Sequence, residues 1–171
     1  MNDNRPSRDE YFMAIALAVR DRADCTGRKV GAVLVMDDRV VSTGYNGTPE
    51  GMSNCSDGGC VRCVNRESFY KSGTAYDLCI CVHAEQNALL GAARFGIRTD
   101  GSQLYTTLQP CFGCLKESIQ AHVTKISYLH PWASPGAGPD LEEQYLRLNE
   151  NICGGGPPGI YVRSPSGLGI F

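Results

Sequence analysis

Hydrophobic residues recur at helical spacing early in the chain, in "RDEYFMAIALAVRDRA", and predict an amphipathic helix. Two runs rich in β-branched residues follow, "VGAVLVM" and "RVVSTGY", and the charged "DDR" at their junction predicts a hairpin of two strands. Further strands are predicted at "SQLYTTL", "TKISYLH" and "GIYVRS", and further helices at "AEQNALLGAARF", "CFGCLKESIQAH" and "DLEEQYLRL". Strands that alternate with helices after a hairpin are typical of a three-layer α/β domain with a mixed sheet of about five strands.

The alternation breaks between the second strand and the second long helix. Residues 54–81 are polar and rich in cysteine, and only a short helix around residues 61–70 is predicted there. A loop of this length is uncommon in a compact domain unless something ties it down. We predict a single domain over residues 1–171, with a cysteine-rich insert at about residues 54–81.

Composition narrows the class of protein. With 171 residues, 42% of them hydrophobic and 20% charged, the chain is typical of one globular domain. A formal net charge of −2 argues against non-specific binding to nucleic acid. No run approaches the roughly 18 apolar residues that a membrane span needs, and "MNDNRPSRDE" lacks the apolar core of a signal peptide. We expect a cytoplasmic protein with neither nucleic acid nor membrane as its partner.

The chain contains nine cysteines, an odd number that excludes a complete set of disulfides within one chain. In a reducing compartment, clustered cysteines favour a metal site over disulfides. We therefore expect metal bound by cysteine.

Two local motifs combine metal-ligand side chains with a carboxylate: "HAE" from His83 to Glu85, and "PCFGC", in which Cys111 and Cys114 follow Pro110. Cysteines three residues apart at a helix start direct both thiolates at one ion, and proline suits that start. His83 and Glu85 face the same cavity only if the chain turns into a helix at that point. We predict that His83, Cys111 and Cys114 bind Zn²⁺ and leave a fourth position for water.

Glu85 is then a nearby carboxylate that need not bind the metal. Zinc lowers the pKa of bound water from 15.7 to about 7, and a carboxylate beside it suits proton transfer to and from that water. The same spacing of histidine, glutamate and cysteines marks the zinc nucleobase deaminases. The alternative is a closed zinc knuckle in which Glu85 is a solvated surface residue.

The ordered segments "KVGAVLV", "STGYNGTPEG", "NCSDGGC", "CVHAEQNALLGAARFG" and "LYTTLQPCFGC" resemble bacterial and phage deoxycytidylate (dCMP) deaminases of the cytidine deaminase superfamily, over about residues 11–129. The resemblance implies a three-layer α/β/α cytidine deaminase-like fold and zinc-dependent deamination of dCMP to dUMP in pyrimidine nucleotide biosynthesis. It implies attack of zinc-bound hydroxide on C4 of cytosine, with Glu85 as proton carrier. It also implies a homo-oligomer, often a hexamer, activated by dCTP and inhibited by dTTP, usually with Mg²⁺.

The resemblance assigns further positions. Asn46 in "GYNG" matches an asparagine that contacts the nucleotide sugar, and Val30 and Ala32 fall on a strand that lines the base pocket. Arg94 matches a position linked to subunit contacts and allosteric response. Each position also has an ordinary interpretation, as a turn residue, as strand core or as a solvated charge.

Some proteins of this type bind a second, structural zinc in the insert, and Cys25, Cys55 and Cys81 occupy matching places. The fourth ligand is left open among Cys60, Cys63 and Cys79. Metal binding would order the loop, and the alternative is a set of reduced, partly buried thiols.

Basic side chains near the pocket are candidates for phosphate binding, namely Arg28, Lys29 and Lys116. The segment "LHPWASPGAGP" departs from the family pattern, and its Trp132 either stacks on a base or fills a gap. Other interpretations are a deaminase of another cytosine nucleotide, a free base or a specialised metabolite, a tRNA adenosine deaminase, and a non-catalytic zinc module.

Overall fold

The computed structural model describes residues 5–70, 74–132, 138–153 and 160–161. The helices are α1 (Arg8–Arg20), α2 (Val61–Val64), α3 (Ala84–Arg94), α4 (Phe112–Gln120) and α5 (Pro139–Cys153). The strands are β1 (Gly31–Met36), β2 (Arg39–Tyr45), β3 (Gln103–Leu108), β4 (Lys125–His130) and the short β5 (Ile160–Tyr161). The predicted order of strands and helices is confirmed, although part of the last predicted strand, "GIYVRS", lies outside the described residues.

The strands form one mixed sheet in the order β2-β1-β3-β4-β5. The β1–β2 hairpin is antiparallel and β1 also runs antiparallel to β3, whereas β3, β4 and β5 are parallel. A parallel connection needs a crossover, which α4 supplies between β3 and β4. The sheet therefore carries a run of parallel carboxyl ends, where side chains after β3 and β4 lie near each other.

Helices cover both faces of the sheet, which explains why β1 is apolar at nearly every position. Val33 and Val35 face Phe12, Met13 and other residues of α1 in one core cluster. Ala32 and Leu34 alternate to the opposite face, where α3 and α4 contribute the second cluster. The three-layer α/β/α prediction is confirmed.

Glycine allows close packing where two helices cross the hairpin. A Cβ at Gly31 would collide with the backbone of α1, and a Cβ at Gly44 would collide with the backbone at the start of α3. Because Gly44 carries no side chain, the start of α3 lies directly against β2. This contact fixes where the side chains of the first turn of α3 lie.

The cysteine-rich insert contains little regular structure. The helix predicted over residues 61–70 is confined to α2, and two 3₁₀ turns lie at Cys55–Asp57 and Tyr76–Leu78. The insert is attached to the segment after α1, since the Cys55 N–H donates to Asp24 at 2.8 Å and Arg66 donates to the Thr26 carbonyl at 2.7 Å. Within the described residues, no helix is both long and apolar enough to span a membrane.

Candidate active site

Two helix N-termini bring His83, Cys111 and Cys114 together. His83 is the residue before α3, Cys111 is the residue before α4, and Cys114 lies in the first turn of α4. Nδ1 of His83 is 3.4 Å from each of the two cysteine Sγ atoms. Zinc bonds of 2.0–2.3 Å at tetrahedral angles require an N···S separation of about 3.5 Å, so the three donors fit Zn²⁺.

The three donors also form a charged group. Against burial, hydrogen bonds from Cys114 and then His83 lower the pKa of Cys111 to about 4. The same contact with Cys111 raises the pKa of His83 to about 9, and donation to Cys111 raises the pKa of Cys114. A thiolate at a helix N-terminus is the form that binds zinc, so Cys111 is prepared for the metal.

A hydrogen-bonded chain holds the His83 backbone. The His83 N–H donates to Oε1 of Gln86 at 3.0 Å, and Nε2 of Gln86 donates to Glu117 on α4 at 3.0 Å. This chain links the start of α3 to α4. It therefore fixes the separation between the histidine donor and the cysteine donors.

Glu85 lies beside the three donors. Helix α3 begins at Ala84, so the chain turns into the helix between His83 and Glu85. The Glu85 side chain is buried, and burial raises its pKa. The Thr106 hydroxyl donates to its Oε1 at 3.1 Å. A buried carboxyl with a raised pKa next to a set of candidate metal ligands is suited to accept and release a proton.

A cavity of about 620 Å³ opens over these residues. Its floor includes His83, Glu85 and Cys111, and its walls include Val30 and Trp132. Such a volume is in the range of small-molecule sites. The cavity extends from His83 and Cys111 to the cysteine-rich part of the structure, since four further cysteines also line it, namely Cys25, Cys63, Cys79 and Cys81.

Asn46 also lines the cavity and is buried. Its Oδ1 accepts the Val30 N–H at 2.7 Å, and its Nδ2 donates to the Arg28 carbonyl at 2.9 Å. Asn46 therefore holds the backbone of residues 28–30 against the cavity. Asn46-Gly47 is not a turn, which is its ordinary interpretation from sequence; Gly47 instead forms an isolated antiparallel bridge with Val82, just before α3.

The other predicted positions divide into two groups. Arg28 lines the cavity with an exposed side chain, whereas Lys29, Ala32, Arg94 and Lys116 are not among the described residues that line it. Ala32 is fully buried in the core, and Arg94 donates to the Glu50 carboxylate at 2.8 Å on the surface. Lys116 lies over the Phe112 ring, 5.1 Å from its centroid.

Six cysteines of the insert and its surroundings form a separate cluster. Their sulfur atoms fall into two four-residue sets, each with all its sulfurs within 4.8 Å of one another. The members are Cys25, Cys55, Cys60, Cys63, Cys79 and Cys81. These six cysteines, together with Cys111 and Cys114, are free of disulfides.

Sequence analysis did not identify several residues that line the cavity or support the site. Thr106 supports Glu85 from β3, and Arg62, Arg66 and Gln109 line the cavity. Thr106 carries a signal in retrospect, because it is a polar residue inside an apolar strand, "LYTTL". The two arginines carry none, since the insert has no periodicity from which their direction could be inferred.

Comparison with known proteins identifies the family. The sequence pattern of the "Cytidine and deoxycytidylate deaminase zinc-binding region" matches residues 6–130. A deoxycytidylate deaminase of Mycobacterium phage D29 is 43% identical over 129 residues, which cover 73% of this chain and 96% of that protein. A deoxycytidylate deaminase of Schizosaccharomyces pombe is 43% identical over 127 residues, and the match spans 74% of this chain but only 38% of the yeast protein.

A solved structure has the same fold. The dCMP deaminase of cyanophage S-TIM5 superposes with a TM-score of 0.62 in its apo structure and 0.61 in its structure in complex with dCMP and dUMP. In the complex, identity is 31%, and the match covers 82% of this chain and 93% of that one. The chain therefore belongs to the cytidine and deoxycytidylate deaminase family, and residues 6–130 contain its zinc-binding region.

Proposed function

We propose that this protein is a zinc-dependent hydrolase that deaminates dCMP to dUMP. The observation that carries the proposal is a three-donor zinc site beside a buried carboxyl in one cavity, His83, Cys111 and Cys114 with Glu85. Three protein ligands leave a coordination position open, which a catalytic zinc needs and a closed structural site does not. The phage relative matched over nearly its whole length, and the dCMP- and dUMP-bound cyanophage enzyme, support dCMP as the substrate.

Each side chain of the site has a distinct task. Zinc, when bound by His83, Cys111 and Cys114, supplies Lewis-acid activation that brings the pKa of water to about 7. Glu85 accepts the proton of the attacking water and delivers it to N3 of the cytosine ring. The hydroxyl now on C4 then gives up its proton, which Glu85 transfers to the exocyclic nitrogen; the bond between C4 and that nitrogen breaks, ammonia leaves and C4 keeps a carbonyl oxygen. Thr106 holds Oε1 of Glu85 in place for both transfers.

The walls of the cavity suggest how a nucleotide lies in it. Arg28 and Arg66 line the same cavity as the zinc donors, and guanidinium groups bind phosphate well. We assign phosphate recognition to this arginine edge, and base or sugar contacts to Val30, Asn46 and Trp132. Lys29, Arg94 and Lys116 are outside the cavity, so any role for them lies in subunit or effector contacts.

The proposal also covers the domain, its structural zinc, its oligomeric state and its cellular compartment. We infer a single deaminase domain whose insert cysteines bind structural zinc in addition to the catalytic ion, since their sulfurs are clustered closely enough to share a metal. A homo-oligomer, with a hexamer as the expected size, and regulation by dCTP and dTTP with Mg²⁺ follow from the family resemblance. Free cysteines and a nucleotide substrate favour the cytoplasm.

A substrate panel tests the proposal. The purified protein is offered dCMP, dCTP, CMP, deoxycytidine, cytosine and guanine, and ammonia release is measured. Activity confined to dCMP is the expected result. Rapid turnover of a free base with none on dCMP would refute the substrate assignment but not the deaminase chemistry. No ammonia from any compound, in protein that contains zinc, would refute both.

A further inference from the structure

The six clustered cysteines outnumber the four ligands of one tetrahedral zinc site. They form two complete sets of four that share two members. One set is Cys25, Cys55, Cys63 and Cys81, and the other is Cys60, Cys63, Cys79 and Cys81. Cys63 and Cys81 belong to both sets, so the cluster has the connectivity of two tetrahedra that share an edge.

Contacts between the thiols follow the same division. Sγ of Cys63 lies within 4.8 Å of Cys55 and of Cys60, which belong to different sets, and Sγ of Cys81 lies within 4.8 Å of both Cys25 and Cys79. Sγ of Cys60 is 3.8 Å from Sγ of Cys79, within one set. Zinc–sulfur bonds of 2.3 Å at tetrahedral angles require a sulfur–sulfur edge of about 3.8 Å. The sulfur atoms of Cys60 and Cys79 are therefore already separated by the distance that binding to one zinc ion requires.

Stoichiometry favours two ions over one. A single zinc ion bound by either set leaves two cysteines of the other set beside the bound thiolates, with no metal ion to bind. A thiolate sulfur keeps enough lone pairs to bond two metals, so Cys63 and Cys81 can complete both tetrahedra. Two divalent ions with six thiolates carry the same net charge as one ion with four, so the second ion adds no charge to the buried cluster. Six cysteines with two zinc ions is also the composition of one class of DNA-binding module.

The surroundings match a thiolate cluster. The Thr26 backbone N–H points at Sγ of Cys55 at 3.5 Å, and the Thr26 hydroxyl lies 3.7 Å from the same sulfur. Arg66 donates to the Thr26 carbonyl, which brings a positive charge to the same edge of the cluster. Hydrogen bonds and cations around metal-bound sulfur are the usual support of such sites.

We propose that the insert binds a binuclear zinc cluster. Cys25 and Cys55 are the terminal ligands of one ion, Cys60 and Cys79 are those of the other, and Cys63 and Cys81 bridge the two. This proposal deepens the structural-zinc part of the proposed function and does not depend on the deamination reaction. Since Cys25 follows α1 and Cys81 lies two residues before His83, the cluster joins the insert to the catalytic framework.

Metal counting on the full chain is the primary test. Inductively coupled plasma mass spectrometry of the purified protein should find three zinc ions per chain, one catalytic and two in the cluster. A count of two would leave structural zinc standing and overturn the binuclear cluster. A count of one, or iron with sulfide in the cluster, would overturn both.

Exchange of zinc for ¹¹³Cd tests the bridge itself. Three cadmium resonances are expected, and two of them should show scalar coupling to each other through the shared sulfurs. Two resonances from cysteine-only sites without mutual coupling would show separate ions and overturn the bridging assignment.

Serine variants separate terminal from bridging ligands. Cys60→Ser should lower the count from three to two, because Cys25, Cys55, Cys63 and Cys81 still form a complete set. Cys63→Ser should remove both cluster ions if the protein stays folded. Cys153→Ser, which changes a cysteine at the end of α5, is the matched control and should retain three. A wild-type count of three that Cys60→Ser leaves unchanged would overturn the assignment of Cys60.

Discussion

Replacement of Glu85 by glutamine tests the proposed proton carrier with minimal change in shape. The Glu85 side chain is only 4% exposed, and its Oε1 accepts one hydrogen bond from Thr106 at 3.1 Å. Glutamine keeps the volume and still offers an oxygen to Thr106, but it cannot take up a proton. General acid–base catalysis typically contributes 10²–10⁴-fold, so we expect kcat to fall by about that factor, or about 3–5 kcal/mol of barrier.

The assay measures ammonia release from dCMP by the Glu85→Gln protein, with zinc counted on the same sample. Zinc content should stay at the wild-type value, because Glu85 is not among the three donors of the site. The melting temperature should not fall, since a neutral amide costs less to bury than a carboxylate. A large loss of rate at unchanged zinc content would therefore assign Glu85 to the chemistry and not to the metal.

Glu67→Gln is the matched control. Glu67 lines the same cavity, but its side chain is 84% exposed and lies 3.6 Å from Arg66. The same chemical change there should alter kcat less than threefold, as is usual for exposed ion pairs. A Glu85→Gln protein that keeps its zinc and turns over within tenfold of wild type would refute the proton-carrier assignment.

Three further predictions concern neighbouring contacts. Thr106→Val removes the hydroxyl that holds Glu85. A hydrogen bond to a charged group contributes about 1.5 kcal/mol, so kcat should fall about tenfold with little change in KM. An unchanged kcat would show that Glu85 needs no such support. Arg28→Gln should raise KM for dCMP at least severalfold and leave zinc content unaltered, and an unchanged KM would remove Arg28 from phosphate binding. Asp9→Asn should destabilise the fold by about 1–2 kcal/mol at pH 7, because the Asp9 carboxylate accepts from Tyr105 at 2.6 Å and from Lys125 at 2.9 Å. Burial acts to raise the pKa of Asp9, but these bonds outweigh it and lower the pKa below 3.8. The difference in unfolding free energy between wild type and Asp9→Asn, measured with urea, should therefore persist from pH 7 to about pH 4 and shrink below that. A difference that grows on acidification would contradict this account.

Much of the fold was predictable because its signals are local. The strands of the opening hairpin and the helices after His83 and Cys111 each carry their own periodicity within a dozen residues. The proposed zinc donors also carry local signals, since each motif places a candidate ligand at a helix start. The helix predicted over residues 61–70 was too long, because a cysteine-rich segment with few apolar contacts has no face on which to extend a helix.

Residues whose role depends on distant partners were not predictable. Thr106 is 21 positions from Glu85 in sequence, and Arg66 is 40 positions from Thr26. No local pattern identifies such a partner. Alternation along β3 predicts the face of the sheet on which Thr106 lies but not what it contacts there, and the insert that carries Arg66 has neither period 2 nor period 3.6. Their positions follow only once the sheet and α3 have been assembled.

Residue type and short spacing were enough to predict the order of the elements, and to propose a set of metal donors with a carboxyl beside them. The folded structure, in contrast, shows that the six clustered cysteines fall into two sets of four, with Cys63 and Cys81 common to both. It also decided that the insert forms a wall of the same cavity as the zinc donors. Spacing along a chain limits which sulfurs can meet, but the pairing is set by the packing of the segments after α1 and before α3, which are far apart in sequence and adjacent in space.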